Sequence, residues 1–345
     1  MRTDLLRIVC TWPLKDDELQ IIAQADQRVR VAQAPYVEPE AMRDLRRKGL
    51  LDELARQPFA PSSEFLELVR TAEVIYGLDF PTGFPKLAPK LKWVQVMGAG
   101  TDHLPGGTGL FESDVIITKL GGPSLPNIAE YVMHAMLSHV KLSKAYLLAQ
   151  PKRQWTRMVG DSLAGKTVGI VGLGRIGVFV ARFAKAFSMR VLASRRTIGG
   201  APQPNVDVLY PSDKLGEMLP QCDFVVVATA LTPETRNLIG EPELRAMKKS
   251  ALLINIARGE VVDEPVLIRA LQEGWIAAAH LDVFQQEPLP PSSVLWDMPN
   301  VTITPHASAA MPGLAMGRMH IFAEQIRRYL AGEALLYVVD KKKGY

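Results

Sequence analysis

Cysteine is scarce in this chain: Cys10 and Cys222 are the only two in 345 residues. No Cys/His spacing of the zinc-binding kinds accompanies them. Each lies in or beside an apolar stretch that reads as a strand, so both are expected to be buried, reduced thiols and no metal site is expected. Long apolar runs are missing as well; none approaches the roughly 18 residues of a membrane span. The opening stretch Met1-Arg-Thr-Asp-Leu-Leu-Arg-Ile-Val-Cys10 scatters charge where a secretory leader would have an apolar core. The expectation is a cytoplasmic chain with no membrane partner. Blocks of more than three like charges are absent, and Lys341-Lys342-Lys343 is a run of the kind that is ordinarily just solvated. The net charge of +4 is too mild and too dispersed to call for nucleic acid, and a small anionic substrate or cofactor accounts for it equally well.

What is present is an alternation of strands and helices, the pattern of an α/β protein with mainly parallel sheets. At 345 residues the chain exceeds what one core usually serves, so two domains are expected. In the first part, Leu6–Cys10, residues 74–78, 93–97 and 115–118 read as short buried strands. A helix is expected over residues 16–25. The charged, proline-flanked segment 38–56 reads as a surface helical excursion. One long helix is expected from Asn127 to about Gln150, behind Pro123 and Pro126. A cleaner series follows, with strands expected at 167–172, 190–194, 224–230, 251–257, 277–283 and 301–304. Six strands with helices between them suit one doubly wound sheet. The final helix, about residues 312–331, lies beyond that series and is expected to return to the first domain. The expected division is 1–121 with 309–345, and 122–308 between them.

The strand at 167–171 runs into Gly172-Leu-Gly174-Arg175-Ile176-Gly177 and an amphipathic helix. Between a buried strand and a helix, each glycine has a task. Gly172 permits the tight turn, Gly174 lets the backbone approach a pyrophosphate, and Gly177 lets helix and strand pack closely. The helix N-terminus then offers N–H groups and partial positive charge to phosphates. The next strand ends in Ser194-Arg195-Arg196-Thr197. NAD-binding folds carry a carboxylate about 20 residues on, to hold the ribose 2′-OH; here two guanidinium groups stand in its place. Arginine matches a phosphate in bidentate geometry, so the cofactor expected is NADP, bound as NADPH.

Three further segments close apolar strands: Asn255-Ile-Ala-Arg258-Gly, Leu281-Asp282-Val-Phe-Gln-Gln-Glu287 and Thr304-Pro-His306. Ligands of open α/β sheets bind outside the carboxyl ends of the strands, so Arg258, Asp282, Glu287 and His306 are expected to face one crevice. Their types suit the reduction of a 2-keto acid. Arginine clamps the carboxylate and polarises the carbonyl. Histidine donates a proton to the oxygen, and glutamate on its other ring nitrogen orients it. Each taken singly has an ordinary reading as an ion pair, a turn residue or a core group. The other histidines, His103, His134, His139, His280 and His320, lack such a placement and are read as ordinary core or surface residues.

Taken together these motifs resemble the D-isomer-specific 2-hydroxyacid dehydrogenase family. The resemblance is carried by the stretch from Leu163 to Gly177, by Leu231-Thr-Pro-Glu-Thr235, Asn255-Ile-Ala-Arg-Gly259, Leu281-Asp-Val-Phe284 and Thr304-Pro-His306, and more loosely by Val96-Met-Gly-Ala-Gly-Thr-Asp102. Arg258 and Glu287 lie 29 positions apart, and Glu287 and His306 lie 19 apart, as the family's order and spacing require. The resemblance implies a Rossmann-type sheet inserted in a flavodoxin-like substrate domain, and a catalytic set of Arg258, Glu287 and His306. It implies cofactor contacts from Gly172, Gly174, Arg175, Ile176, Gly177, Ser194, Arg195, Arg196, Ala230, Thr235, Ile256 and Ala257, with Asp282 seating the nicotinamide carboxamide. Substrate contacts are implied for the backbone of Gly98, Ala99 and Gly100 together with Arg258 and His306. A homodimer through the nucleotide domain, using residues 127–150, is implied too. The basic pair Arg195-Arg196 looks like the glyoxylate and hydroxypyruvate reductase branch.

Some features depart from the family or leave room for other readings. Ala307-Ser308-Ala309-Ala310 follows His306, where many members have a bulkier residue and glycine. Glu287 stands where formate dehydrogenases have glutamine. The same chemistry on a larger or aromatic keto acid, and a non-catalytic nucleotide-sensing module like the corepressors built on this scaffold, are the competing readings. Trp155 reads either as a packing residue at a helix end or as a side chain reaching a partner subunit.

Overall fold

The computed structural model describes residues 4–122, 124–199 and 202–344. Pro123, expected to precede the long helix, lies outside them, as do the ends of the expected domain ranges at 1–3 and 345. In chain order the elements are β1 (Leu6–Cys10), α1 (Asp16–Ala23), β2 (Val29–Gln33), α2 (Glu40–Lys48), α3 (Leu51–Ala55), α4 (Ser63–Val69), β3 (Val74–Gly77), α5 (Phe84–Leu87), β4 (Trp93–Val96) and β5 (Ile116–Lys119). They continue with α6 (Leu125–Val140), α7 (Ser143–Ala149), β6 (Thr167–Val171), α8 (Arg175–Ala186), β7 (Arg190–Arg195), β8 (Val208–Pro211), α9 (Leu215–Met218) and β9 (Phe224–Val227). The last are α10 (Glu241–Ala246), β10 (Leu252–Asn255), α11 (Glu264–Gln272), β11 (Ala278–Leu281), β12 (Val301–Ile303) and α12 (Leu314–Ala331). The chain forms two compact units, Met1–Pro123 with Met311–Tyr345, and Ser124–Ala310. Among the described residues no helix is long and apolar enough to cross a membrane.

The first unit is built on a parallel sheet of order β2-β1-β3-β4-β5, the flavodoxin-like winding. Its fully buried strands reflect cover on both faces. On one face α12 packs through Phe322, whose ring lies 5.1 Å from that of Tyr76 and 5.5 Å from that of Trp93. The edge strand β2, Val-Arg-Val-Ala-Gln, was not expected; it is largely half-exposed and carries a weak apolar signal.

The segment 38–56 departs from its expected reading as a surface excursion. Gly49, at φ 69°, ends α2 and divides the segment into two helices. Arg46 on α2 is buried, and its Nη2 lies 2.6 Å from Oε1 of the equally buried Glu38. Its Nη1 donates to the Gly106 carbonyl at 2.6 Å. Asp79 accepts the Glu38 N–H at 3.0 Å and Nε of Arg43 at 2.8 Å. Charges are tolerated inside because each has an opposite partner and a hydrogen bond.

The second unit holds seven parallel strands in the order β12-β11-β10-β9-β6-β7-β8, one more than the six expected. The extra strand, β8, is half-exposed and ends in Pro211, which an edge position tolerates because no ladder donor is needed there. Alternate residues feed opposite cores: Val225, Val227 and Leu253 face one, and Phe224, Val226, Leu252 and Ile254 face the other. The winding reverses between β6 and β9, which makes their carboxyl ends the switch point. The single helix expected from Asn127 to Gln150 is two helices. Leu142 takes a left-handed φ of 57° between α6 and α7. The apolar stripe that packs α6 ends at Val140, and α7 buries no side chain, so nothing holds one continuous rod together there.

Candidate active site

The glycine turn sits at the carboxyl end of β6. Gly172 has φ 97°, and a Cβ there would lie 2.7 Å from the Thr229 backbone. A Cβ on Gly177 would meet the Gly172 carbonyl at 2.9 Å and Ile170 at 3.1 Å, so α8 packs against β6 through this position. Gly174 differs: a Cβ there meets nothing within 4 Å. The space above it is open, as a backbone approached by a diphosphate requires. Arg175, Ile176 and Gly177 make the first turn of α8, whose N–H groups have no partner within the helix itself. Ser194, buried at the end of β7, ties that strand to the turn by accepting the N–H groups of Gly172 at 3.2 Å and Leu173 at 2.7 Å. Arg195 and Arg196 follow on the surface, and Glu234 feels the charge of Arg196. Thr235 closes the loop after β9, donating to the Ala230 carbonyl at 2.7 Å and accepting the Thr232 N–H at 2.8 Å. These residues fit a dinucleotide.

On the same edge, β10, β11 and β12 lie side by side and deliver the other group. Asn255, the last residue of β10, folds the following turn by accepting the Ala257 N–H at 3.1 Å and donating to the Arg258 carbonyl at 3.0 Å. Ile256 and Ala257 are buried, and half-buried Arg258 emerges from this turn. Gly259 then passes so close to the chain after β11 that a Cβ would lie 1.8 Å from the Phe284 carbonyl carbon. That close approach brings the Arg258 turn against the segment carrying Glu287. Glu287 accepts the Phe284 N–H at 3.0 Å through Oε1, and its Oε2 lies 2.8 Å from Nδ1 of His306. Burial alone would raise the Glu287 carboxyl, but the hydrogen bond and charge of His306, the Phe284 N–H and the charge of Arg258 outweigh it and hold the group below its ordinary value. His306 is 46% exposed in its side chain and has a left-handed φ of 51°.

Asp282 is completely buried beneath this histidine turn. Its Oδ1 accepts the Thr304 hydroxyl at 2.6 Å and the Ala307 N–H at 2.8 Å; its Oδ2 accepts the Ser308 N–H at 2.9 Å. Its carbonyl takes the His306 N–H at 2.8 Å. Gly98, Ala99 and Gly100 belong to the other unit, where they follow β4 and the Gly98 carbonyl accepts the Leu120 N–H at 3.0 Å. Trp155 is fully exposed. Three residues near the histidine turn went unnoticed in the sequence: Asn127 and Tyr131 on α6, and the hydroxyl of Thr304. The first two lie one helical turn apart on a segment read from the sequence simply as a helix, so only tertiary contact marks them out. Among the described residues no group of His, Cys, Asp and Glu is placed to hold a metal ion.

The geometry has counterparts. Residues 133–308 match the model of the D-isomer specific 2-hydroxyacid dehydrogenase NAD binding domain. A glyoxylate reductase of Thermococcus gammatolerans is 44% identical over 184 residues; that match spans 53% of this chain and 54%, about half, of the relative. A glyoxylate reductase of Aeropyrum pernix is 32% identical over 328 residues, 92% of this chain and 97% of the relative. Among solved structures, a D-isomer specific 2-hydroxyacid dehydrogenase from Xanthobacter autotrophicus Py2, in complex with NADPH and MES, superposes with a TM-score of 0.82 at 30% identity, covering 99% of this chain and 100% of that one.

Proposed function

The chain belongs to the D-isomer specific 2-hydroxyacid dehydrogenase family, and from that premise we propose that it is an NADPH-dependent oxidoreductase that reduces small 2-keto acids of the glyoxylate and hydroxypyruvate type to D-2-hydroxy acids. The observation that carries this reading is the delivery of Arg258, Glu287 and His306 from three adjacent strands to the edge that also bears the glycine turn. The nicotinamide, when bound, supplies the hydride. Arg258 holds the substrate carboxylate and polarises the carbonyl as negative charge develops on its oxygen. Glu287 occupies Nδ1 of His306, so the proton given to that oxygen comes from Nε2.

The preference for NADPH rests on Arg195 and Arg196 at the end of β7, where no carboxylate stands to meet a ribose hydroxyl. The Xanthobacter relative holds NADPH. A homodimer through the second unit belongs to the same reading: Leu147 and Leu148 on α7 expose 67% and 58% of their surfaces, which suits a helix that packs on another copy.

Steady-state assays with a panel of 2-keto acids and both nucleotides test the proposal. Glyoxylate or hydroxypyruvate is expected to turn over with NADPH at a higher kcat/KM than with NADH. His306→Ala is expected to lose about 10²–10⁴-fold in kcat while nucleotide fluorescence still reports NADPH binding. No turnover on any keto acid would overturn the enzymatic reading. Equal efficiency with both nucleotides would overturn the cofactor assignment.

A further inference from the structure

The loop that carries His306 is held by α6 as well as by its own sheet. Asn127 donates through Nδ2 to the carbonyls of Ser308 at 2.9 Å and Ala310 at 3.2 Å. Four residues on, and therefore on the same face of the helix, the Tyr131 hydroxyl bonds the hydroxyl of Thr304. The direction of that bond is set by its neighbour. Thr304 has one hydroxyl hydrogen and directs it to Oδ1 of Asp282 at 2.6 Å, an oxygen that also accepts the Ala307 N–H. Tyr131 must therefore donate. Burial, outweighing the Thr304 contact and reinforced by the Asp282 charge, pushes its phenol up to about 12, so the donor proton stays in place at any working pH. The chain Tyr131 to Thr304 to Asp282 ends on the Ala307 and Ser308 N–H groups, which directly follow a histidine in a backbone conformation that non-glycine residues rarely adopt.

We propose that Tyr131 is a positioning residue for His306: through Thr304 and Asp282 it keeps the strained 304–308 turn in the geometry that aims Nε2 at the substrate oxygen. Three members hydrogen-bonded in series in a part-buried site lose cooperatively when one is cut. Asp282 stripped of the Thr304 hydroxyl still holds the Ala307 and Ser308 N–H groups, but the turn loses its tether at residue 304, before His306. The role rests on the reading of His306 as proton donor.

The test uses purified enzyme and single substitutions that keep shape. Tyr131→Phe removes only the hydroxyl. It is expected to lower kcat about tenfold, as sub-ångström misplacement of a proton donor does, with KM for NADPH and keto acid within about twofold of the original. The primary isotope effect with C4-deuterated NADPH should rise, because the chemical step becomes more rate-limiting; a merely structural weakening would leave it unmoved. Thr304→Ser keeps the hydroxyl and should stay near the original rate, whereas Thr304→Val should fall with Tyr131→Phe. Combining Tyr131→Phe with His306→Ala should add no further loss to that of His306→Ala alone. Unchanged kcat in Tyr131→Phe, equal loss in Thr304→Ser and Thr304→Val, or a full further tenfold loss in the His306→Ala background would each overturn the proposal. If Tyr131→Phe does not fold, the Thr304 pair decides it. Near-normal turnover by His306→Ala alone is a separate result and sinks the proton-donor reading instead.

Discussion

Nδ1 of His306 and Oε2 of Glu287 lie 2.8 Å apart, joining the ends of β12 and β11 across 19 residues of sequence. The contact ties a half-exposed imidazole to a carboxylate that is only 24% exposed and is itself fixed by the Phe284 N–H. One ring nitrogen is thereby committed to the protein and the other is left for chemistry. The carboxylate also feels Arg258, so all three side chains share one electrostatic environment although they come from three strands.

Glu287→Gln keeps a hydrogen-bonding partner for Nδ1 and removes the charge. We expect kcat to fall by about 10- to 100-fold with nucleotide binding unchanged, within the range that acid–base partners contribute. The stability consequence has a definite sign. The native carboxyl lies below its ordinary value, so it contributes stability above the ordinary carboxylate range and loses it as pH falls through the lowered value. Thermal midpoints of the original and variant proteins should therefore differ at pH 6–7 and converge in acid. A gap that stays constant to pH 3 would contradict the coupling.

Gly174 and Gly259 make a pair of opposite tests. Alanine at Gly174 meets no protein atom, so the thermal midpoint without nucleotide should hardly change, yet the added methyl intrudes where a diphosphate approaches and NADPH affinity should fall. Alanine at Gly259 would run into the Phe284 backbone, which has no flexible side chain to move aside. That should cost about 3 kcal/mol, at the upper end of overpacking, and displace Arg258 relative to Glu287, lowering kcat/KM with it. Calorimetry and nucleotide titration on both variants separate the two effects; loss of midpoint at Gly174→Ala would refute the first expectation.

The parts of this architecture that are legible in the sequence are those in which local pattern and burial coincide. The buried run at Thr167–Val171 and the glycines after it announce a strand, a turn and a helix together. Arg258, Glu287 and His306 stand out because each closes an apolar strand. The features hidden from sequence are set by distant contacts. Nothing in the letters around Leu142 marks a left-handed residue, because leucine carries no preference for one. Arg46 is one arginine among several on a charged helix, and only its contact with Glu38 and the Gly106 carbonyl shows it to be interior. Tyr131 reaches a threonine 173 positions away, a relationship that no helical periodicity encodes.

The buried pair Glu38 and Arg46 gives a stability prediction for the first unit. Arg46→Met leaves the Glu38 carboxylate inside with the Tyr36 hydroxyl, 2.8 Å away, as its one side-chain partner among the described residues. Removing one member of a buried pair typically costs about 3–5 kcal/mol, and replacing both by apolar residues is often close to neutral. The expected order of stability in urea unfolding is therefore original, then Glu38→Leu with Arg46→Met close behind, and Arg46→Met alone well below. A double variant as unstable as the single would mean that the pair matters for packing rather than charge.

His280 predicts how the second unit responds to acid. It lies on β11 with only 4% exposure, edge-on to the Tyr131 ring at 5.2 Å, and its Nε2 has no hydrogen-bond partner among the described residues. Burial, and then the charges of His134 and Lys144, push the imidazole down from 6.5 to about 4 against the opposing pull of Asp282. The native protein thus keeps this ring neutral over a range in which the unfolded chain takes up a proton. By linkage, stability is lost as pH falls from about 6.5 through about 4, by about 3 kcal/mol in all. His280→Phe preserves the edge-on ring and abolishes the titration. Its thermal midpoint should drop less steeply than that of the original protein between pH 6.5 and 4, and the two curves should run parallel above pH 7. Parallel curves throughout would show that the proton uptake behind any acid instability lies elsewhere.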